Sequence, residues 1–163
     1  MNALVIGGAE CVWSDLAEFD ALDIDATTIA VNDIGTRYPE TLDYWATLHP
    51  SKFEDWQHRR ADRDYASIGR NPARGIDIVV REKWPGSSGL YAVQIALFEL
   101  GAKRVYLCGV PMTVSPHYFN AEDWTDASKY YRGWVRALPE IKGRVKSFSG
   151  WTRELLGHPE DWQ

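Results

Sequence analysis

The chain has 163 residues, of which 45% are hydrophobic and 25% are charged, and this ordinary globular usage excludes a disordered or fibrous protein. Its formal net charge of −5 repels phosphate and therefore disfavours duplex DNA as a partner. The length fits a single soluble domain over residues 1–163, and no apolar run approaches the roughly 20 residues that cross a bilayer.

Two hydrophobic periods alternate along the chain and predict alternating strands and helices. Short apolar or β-branched runs indicate strands, and longer segments with helical spacing indicate helices. In chain order the predicted elements are a strand at residues 3–6, a helix from Ser14 or Asp15 to Leu22, strands at Thr27–Val31 and 44–48, a helix at 51–63, a strand at 76–80, a helix at 90–100, a strand at 104–110, a helix at 121–138, a strand at 144–148 and a short helix at Gly150–Leu156.

Local signals refine several of these elements. The first apolar run turns into glycines after residue 6, which favours a strand over a signal peptide and predicts a cytoplasmic protein. Residues 51–54 match a capping box. Residues 64–74 and 111–120 are interpreted as loops, because glycine, proline and asparagine recur in them. The aromatic stripe of the helix at 121–138, which includes Trp124, is interpreted as core rather than as a cofactor site.

Alternating elements of this length predict an α/β, Rossmann-like, three-layer fold with a mainly parallel sheet of about five or six strands. In such a sheet, ligands bind beyond the carboxyl ends of the strands. The residues at those ends are predicted to form one cluster, and they are Gly7, Gly8, Asn32, Asp33, His49, the turn from Gly86 to Gly89, and Gly109.

The first turn of the predicted sheet is rich in glycine. Gly7 and Gly8 let a ligand approach the backbone closely, although a turn that the fold itself requires explains them equally well. The turn lacks both G-x-G-x-x-G and the phosphate-loop motif, so neither NAD nor a standard ATPase is predicted. Asn32 or Asp33 stands where dinucleotide-binding folds place a ribose-binding residue, a capped strand end being the alternative.

The turn Gly86-Ser87-Ser88-Gly89 opens the most apolar of the predicted helices. Ser87, Ser88 and the free amides, including that of Gly89, can bind a phosphate or carboxylate at the positive helix end. Helix capping accounts for one of the two serines. The turn does not match G-x-S-x-G, so serine hydrolysis is not favoured.

His49 and His117 are the candidate acid–base residues, because an unperturbed imidazole titrates near neutral pH. His49 directly follows a strand and precedes a helix, a rigid position that favours it over His117, which lies in a loop beside Pro116. The histidines and acids show no paired metal-ligand spacing, so no metal or cofactor is predicted. Cys11 and Cys108 lack C-x-x-C spacing, and we expect both to be reduced.

The turn from Gly86 to Gly89, the helix that ends at Leu100-Gly101 and the strand at 104–110 resemble the turn, helix and strand of family 42 sialyltransferases. They also resemble motility-associated glycosyltransferases and pterin pyrophosphokinase-like proteins. In those sialyltransferases, which use CMP-sialic acid, a glycine-asparagine-glycine turn, an asparagine and an asparagine-proline pair follow the first three strands. Gly7-Gly8, Asn32 and His49-Pro50 hold the matching positions here.

The stretch from residue 147 to residue 152 resembles small proteins of bacteriophages and prophages, which implies a bacterial or phage-infected host cell. Together the resemblances imply a nucleotide or nucleotide-sugar ligand and a transferase. Two alternatives stay open. One is a non-catalytic module that binds a nucleotide or docks on a host protein. The other is a pyrophosphokinase that uses ATP and magnesium, for which Asp33 is the one strand-end carboxylate. The oligomeric state is left open, a homo-oligomer included.

Overall fold

The computed structural model describes residues 1–162 and contains one sheet of seven strands, in which every neighbouring pair is parallel. The strands are β1 (Asn2–Ile6), β2 (Thr27–Val31), β3 (Tyr44–Thr47), β4 (Ala66–Gly69), β5 (Ile78–Val79), β6 (Arg104–Cys108) and β7 (Val145–Ser147). The α-helices are α1 (Val12–Asp20), α2 (Pro50–His58), α3 (Ser88–Gln94), α4 (Tyr131–Ile141) and α5 (Gly150–Leu156). The last turn of α3 runs on as a π-helical segment over Ile95–Glu99.

The order of the strands in the sheet reverses beside β1. The order across the sheet is β5-β4-β3-β2-β1-β6-β7. The chain builds outward from β1 to β5, then returns through α3 to lay β6 and β7 on the other side of β1. Since the order reverses between β1 and β6, a ligand crevice is expected at their carboxyl ends. The predicted Rossmann-like α/β fold is confirmed.

Helices cover both faces of the sheet. In β1, successive buried side chains alternate between the two faces, with Ala3 and Val5 on one and Leu4 and Ile6 on the other. The first face packs against α3, α4 and α5, and the second against α1 and α2. The predicted three layers are therefore present. In the described part of the chain, no helix is both long enough and apolar enough to cross a membrane.

The sheet has one strand more than the expected five or six, because β4 lies inside the segment that was predicted to be a loop. The strand is hard to recognise from the sequence because one of its buried residues, Ser67, is polar. Its hydroxyl and its backbone N–H both donate to the Asp77 carboxylate, at 2.8 and 2.9 Å. The buried polar residue is thus satisfied by a side chain that directly precedes the adjacent strand β5. The strand predicted at 76–80 shortens to Ile78–Val79.

The helix starts also differ from the prediction. α1 begins at Val12, so Ser14 and Asp15 lie inside its first turn and do not cap it. α2 begins at Pro50, whose fixed φ suits the first helical position, and the predicted capping box forms no side-chain cap. It ends at His58 rather than at residue 63. The helix predicted at 121–138 begins only at Tyr131, after a 3₁₀ turn at Ala127–Tyr130.

Asp15 joins α1 to the end of β6. Its carboxylate is buried and accepts a hydrogen bond of 2.8 Å from the backbone N–H of Gly109, and another from the Ser149 hydroxyl. Burial raises its pKa, while these two hydrogen bonds act in the opposite direction. Burial and the Asp15 charge raise the pKa of the neighbouring Cys11 to about 12, and both cysteines are free thiols.

Asp15→Ala should destabilise the protein. The change leaves the buried Gly109 N–H without its acceptor, which costs about 1–3 kcal/mol. The matched control is Ser14→Ala on the same helical turn, where the exposed hydroxyl donates to the carbonyl of Cys11. It should change stability by less than about 0.5 kcal/mol. Urea unfolding of both variants measures the difference, and equal stabilities would remove Asp15 as the link between α1 and β6.

Candidate functional site

The carboxyl ends of the strands open into a cleft of about 590 Å³. Its floor comes from the turns after β1 and β6, and its walls from the segments after β2 and β3 and the start of α3. The strand ends thus meet at one edge of the sheet, as predicted. All of the sequence-predicted site residues line the cleft, namely Gly7, Gly8, Asn32, Asp33, His49, Ser87, Ser88, Gly89, Gly109 and His117.

Three glycines form the floor between β1 and β6 and the start of α3. A Cβ on Gly7 would overlap the carbonyl oxygen of Gly109, and Gly109 itself has φ of 69°. A Cβ on Gly89 would lie 2.7 Å from the Val110 side chain. The absence of side chains here lets the two strand ends and the helix start converge, and leaves backbone on the floor of the cleft.

Gly8 is different, because it has room for a side chain. A Cβ on Gly8 would lie 3.5 Å from Asp33 Oδ1 and 3.6 Å from His117 Cδ2, which are ordinary contacts. Asp33 and His117 therefore flank the open face of one glycine. Burial raises the pKa of Asp33, and the His117 charge is the largest influence that lowers it again. The carboxylate and the imidazole thus face the same space above the backbone of Gly8.

His117 is fixed by the backbone, contrary to the expectation that its loop gives it no support. Residue 117 pairs with Ala9 in an antiparallel bridge. The N–H of Glu10 donates to the carbonyl of Pro116 at 2.9 Å, and the N–H of Tyr118 donates to the carbonyl of Gly8 at 3.0 Å. These bonds fasten the loop after β6 to the turn after β1. Position alone therefore does not favour His49 over His117.

His49 is the N-cap residue of α2, and its side chain is exposed at the cleft. Partial desolvation by the walls of the cleft, together with the charges of Lys52 and Arg70, lowers its pKa below the ordinary histidine value. A lowered pKa keeps the imidazole neutral at pH 7, so that it offers one hydrogen-bond donor and one acceptor. This suits a ligand contact better than a source of positive charge.

Asn32 is held in a strained backbone conformation with φ of 57°. The Trp45 indole donates to its carbonyl, and the Thr47 hydroxyl donates to its Oδ1 at 2.8 Å. This hydrogen bond orients the side-chain amide and leaves its Nδ2 group to donate to a ligand. Strain of this kind is typical of residues whose orientation serves a site.

The two serines of the predicted anion turn have different surroundings. Ser87 caps α3 by accepting from the Leu90 N–H at 3.3 Å, and it also accepts from the buried Trp134 indole at 3.2 Å. Its own O–H proton remains available to donate. Gly133 in α4 lets the backbone of Pro85 approach, which sets the position of the turn. Ser88 is buried at the cleft wall.

Several lining residues were not predicted. Lys52 lies in the first turn of α2, which begins at Pro50. Arg70 directly follows β4, the strand that was predicted to be a loop. Arg70 is paired with Glu82 at 3.1 Å. Trp124 and Tyr130 line the cleft because the chain before Tyr131 is not α-helical. Within residues 1–162, no group of three or more histidine, cysteine or acidic side chains is arranged to hold a metal ion.

Comparison of the chain with protein-family models, with curated proteins and with solved structures gave no match. The fold therefore stands on the topology of the sheet, and the function has to be argued from the cleft itself.

Proposed function

We propose that the protein is a nucleotide-binding transferase that takes a nucleotide sugar as donor. The observation that carries the proposal is that Asp33 and His117 flank the open face of Gly8 in the strand-end cleft. A carboxylate and an imidazole on either side of backbone that a ligand can touch form an arrangement suited to acid–base chemistry. The resemblance to family 42 sialyltransferases adds support from sequence alone.

In the proposed reaction, His117 is the acid–base residue. It accepts the proton of the acceptor hydroxyl while that oxygen bonds to the anomeric carbon of the donor sugar. The bond from that carbon to the phosphate oxygen breaks, and the nucleotide leaves with the electron pair. Asp33 stabilises the imidazolium that forms, and Asn32 and the neutral His49 hold the ligand by hydrogen bonds.

The phosphate of the donor is proposed to lie at the convergence of Gly7, Gly8 and Gly89. Ser87 and Ser88 supply hydroxyl donors there, and the first amides of α3 supply N–H groups. The helical segment runs without a break from residue 88 to residue 99, which aligns its peptide dipoles over about three turns. Glycine on the floor and hydroxyls on the wall favour an oxyanion over an apolar group.

The two alternatives use the same cleft. A non-catalytic nucleotide-binding module would need the same floor and walls, and measurement of turnover separates it from a transferase. Pyrophosphoryl transfer needs carboxylates for magnesium, and of the lining carboxylates Glu82 is already paired with Arg70. No contact in the cleft favours this third reading over the first.

Gly8→Ala should abolish nucleotide binding without unfolding the protein. The new methyl group fills the space between Asp33 and His117 at ordinary contact distances, and the stability should stay within about 1 kcal/mol of wild type. Thermal shifts with CMP, UMP, AMP, GMP and their sugar conjugates measure the effect, because a ligand that binds the native state raises Tm. A variant that keeps the wild-type shifts would place the ligand elsewhere.

His117→Ala should lower the rate of donor cleavage by about 10²- to 10⁴-fold, the usual contribution of an acid–base group, with little change in nucleotide affinity. His49→Ala should instead weaken binding and spare the chemical step. The measurement is release of the nucleotide from CMP-sialic acid and from UDP- and GDP-sugars, with water as acceptor. Normal turnover in His117→Ala together with an inactive His49→Ala would assign catalysis to His49. Binding without any turnover in the wild type would favour the non-catalytic module.

A further inference from the structure

Two aromatic side chains stack on each other at one end of the cleft. The ring centroids of Trp124 and Tyr130 lie 5.7 Å apart, with 21° between the ring planes. Both rings are half-buried and both line the cleft. The His117 ring meets Trp124 edge-on at 6.5 Å. The stacked pair therefore presents aromatic surface to the cleft beside the proposed acid–base residue.

Trp124 packs against the core, as its spacing in the sequence predicts, but its half-buried ring also lines the cleft. The chain before the 3₁₀ turn at Ala127–Tyr130 is irregular. The backbone N–H of Trp124 donates to the backbone carbonyl of Ser115 at 3.0 Å. A bridge between Pro116 and Asp123 fixes the same segment. By contrast, Trp134 of the same predicted stripe is fully buried in the core. The backbone at Trp124 is thus held in place, and its ring lies at the border between the core and the cleft.

The charged side chains lie toward the other end of the cleft. Lys52 comes from α2 after β3, and Arg70 follows β4, whereas Trp124 and Tyr130 come from the chain after β6. In the strand order, β4 and β6 are four spacings apart, which is about 19 Å at roughly 4.8 Å per strand. Lys52, Trp56 and the Arg70–Glu82 ion pair thus come from the β3 and β4 side of the cleft, and the stacked pair comes from the β6 side, with the glycine floor and the two serines between.

We propose that Trp124 and Tyr130 form the subsite for the nucleobase. This inference rests on the proposed function and gives the ligand a direction in the cleft. The base stacks on the aromatic pair, the phosphate lies over the glycine floor beside Ser87 and Ser88, and the remainder of the donor extends toward His49 and Lys52. Stacking accepts any base because every base has a π-face. The area of the stacked rings therefore sets the affinity for the base, and hydrogen bonds to the other lining groups distinguish one base from another.

The test compares nucleotides with a sugar phosphate that has no base. Wild-type protein is titrated calorimetrically with AMP, CMP, GMP, UMP and ribose 5-phosphate. The nucleotides should bind roughly 10- to 100-fold more tightly than ribose 5-phosphate, as expected for one stacked base. Trp124→Leu, which keeps apolar volume without a flat ring, should remove that advantage and leave ribose 5-phosphate binding unchanged. Trp124→Phe should keep most of the advantage.

Three further variants make the result decisive. Tyr130→Leu is a second route to the same selective loss should Trp124→Leu fold poorly. Trp13→Leu is the control, since this exposed tryptophan lies outside the cleft lining. Trp56→Leu tests the opposite end of the cleft, and a base-selective loss there instead of at Trp124 would overturn the inference. Equal wild-type affinity for nucleotides and ribose 5-phosphate would overturn it while sparing the proposed function. No nucleotide binding by the wild type would overturn both.

Discussion

The candidate site depends on the contact between Gly7 at the end of β1 and Gly109 at the end of β6. The two backbones approach so closely that neither position has room for a Cβ, and Gly109 has a left-handed φ of 69°. Asp15 holds this arrangement through the Gly109 N–H, and therefore places a buried carboxylate directly beneath the crevice. Burial of that carboxylate opposes folding, while its hydrogen bonds favour it. The same contact brings the loop after β6, and with it His117, over the turn after β1.

Much of the fold could be predicted from periodicity and turn residues. A strand that is buried on both faces is recognisable as a short apolar run, and parallel connectivity follows from the helices between the strands. That reasoning also brought Gly7, Asn32, His49 and Ser87 to one edge of the sheet, where the structure places them. Strand ends are predictable in this way because topology, rather than side-chain detail, decides where they meet. Whether these residues bind a nucleotide stays a prediction.

The remainder depended on tertiary contacts that local sequence does not reveal. Ser67 lies in a buried strand because Asp77 satisfies it, and a pattern of apolar residues cannot show such a pairing. Aspartate is a common helix-capping residue, yet the Asp15 carboxylate accepts a hydrogen bond from a backbone amide 94 residues away. Helical spacing assigned Trp124 to the core, whereas a backbone hydrogen bond to Ser115, in the preceding loop, holds this residue where its half-buried ring also lines the cleft. In each case a hydrogen-bond partner outside the residue's own helix or strand determined where the residue lies.

The central claim is that a nucleotide occupies the cleft between the ends of β1 and β6. The most direct measurement is a titration of ¹⁵N-labelled protein with the nucleoside 5′-monophosphate that binds best, followed by amide and indole chemical shifts. The account predicts the largest changes at the backbone amides of Gly7, Gly8, Gly89 and Gly109 and at the indole N–H of Trp124. Changes confined to other surfaces, such as the exposed edge strand β5, or no changes at saturating nucleotide, would contradict it.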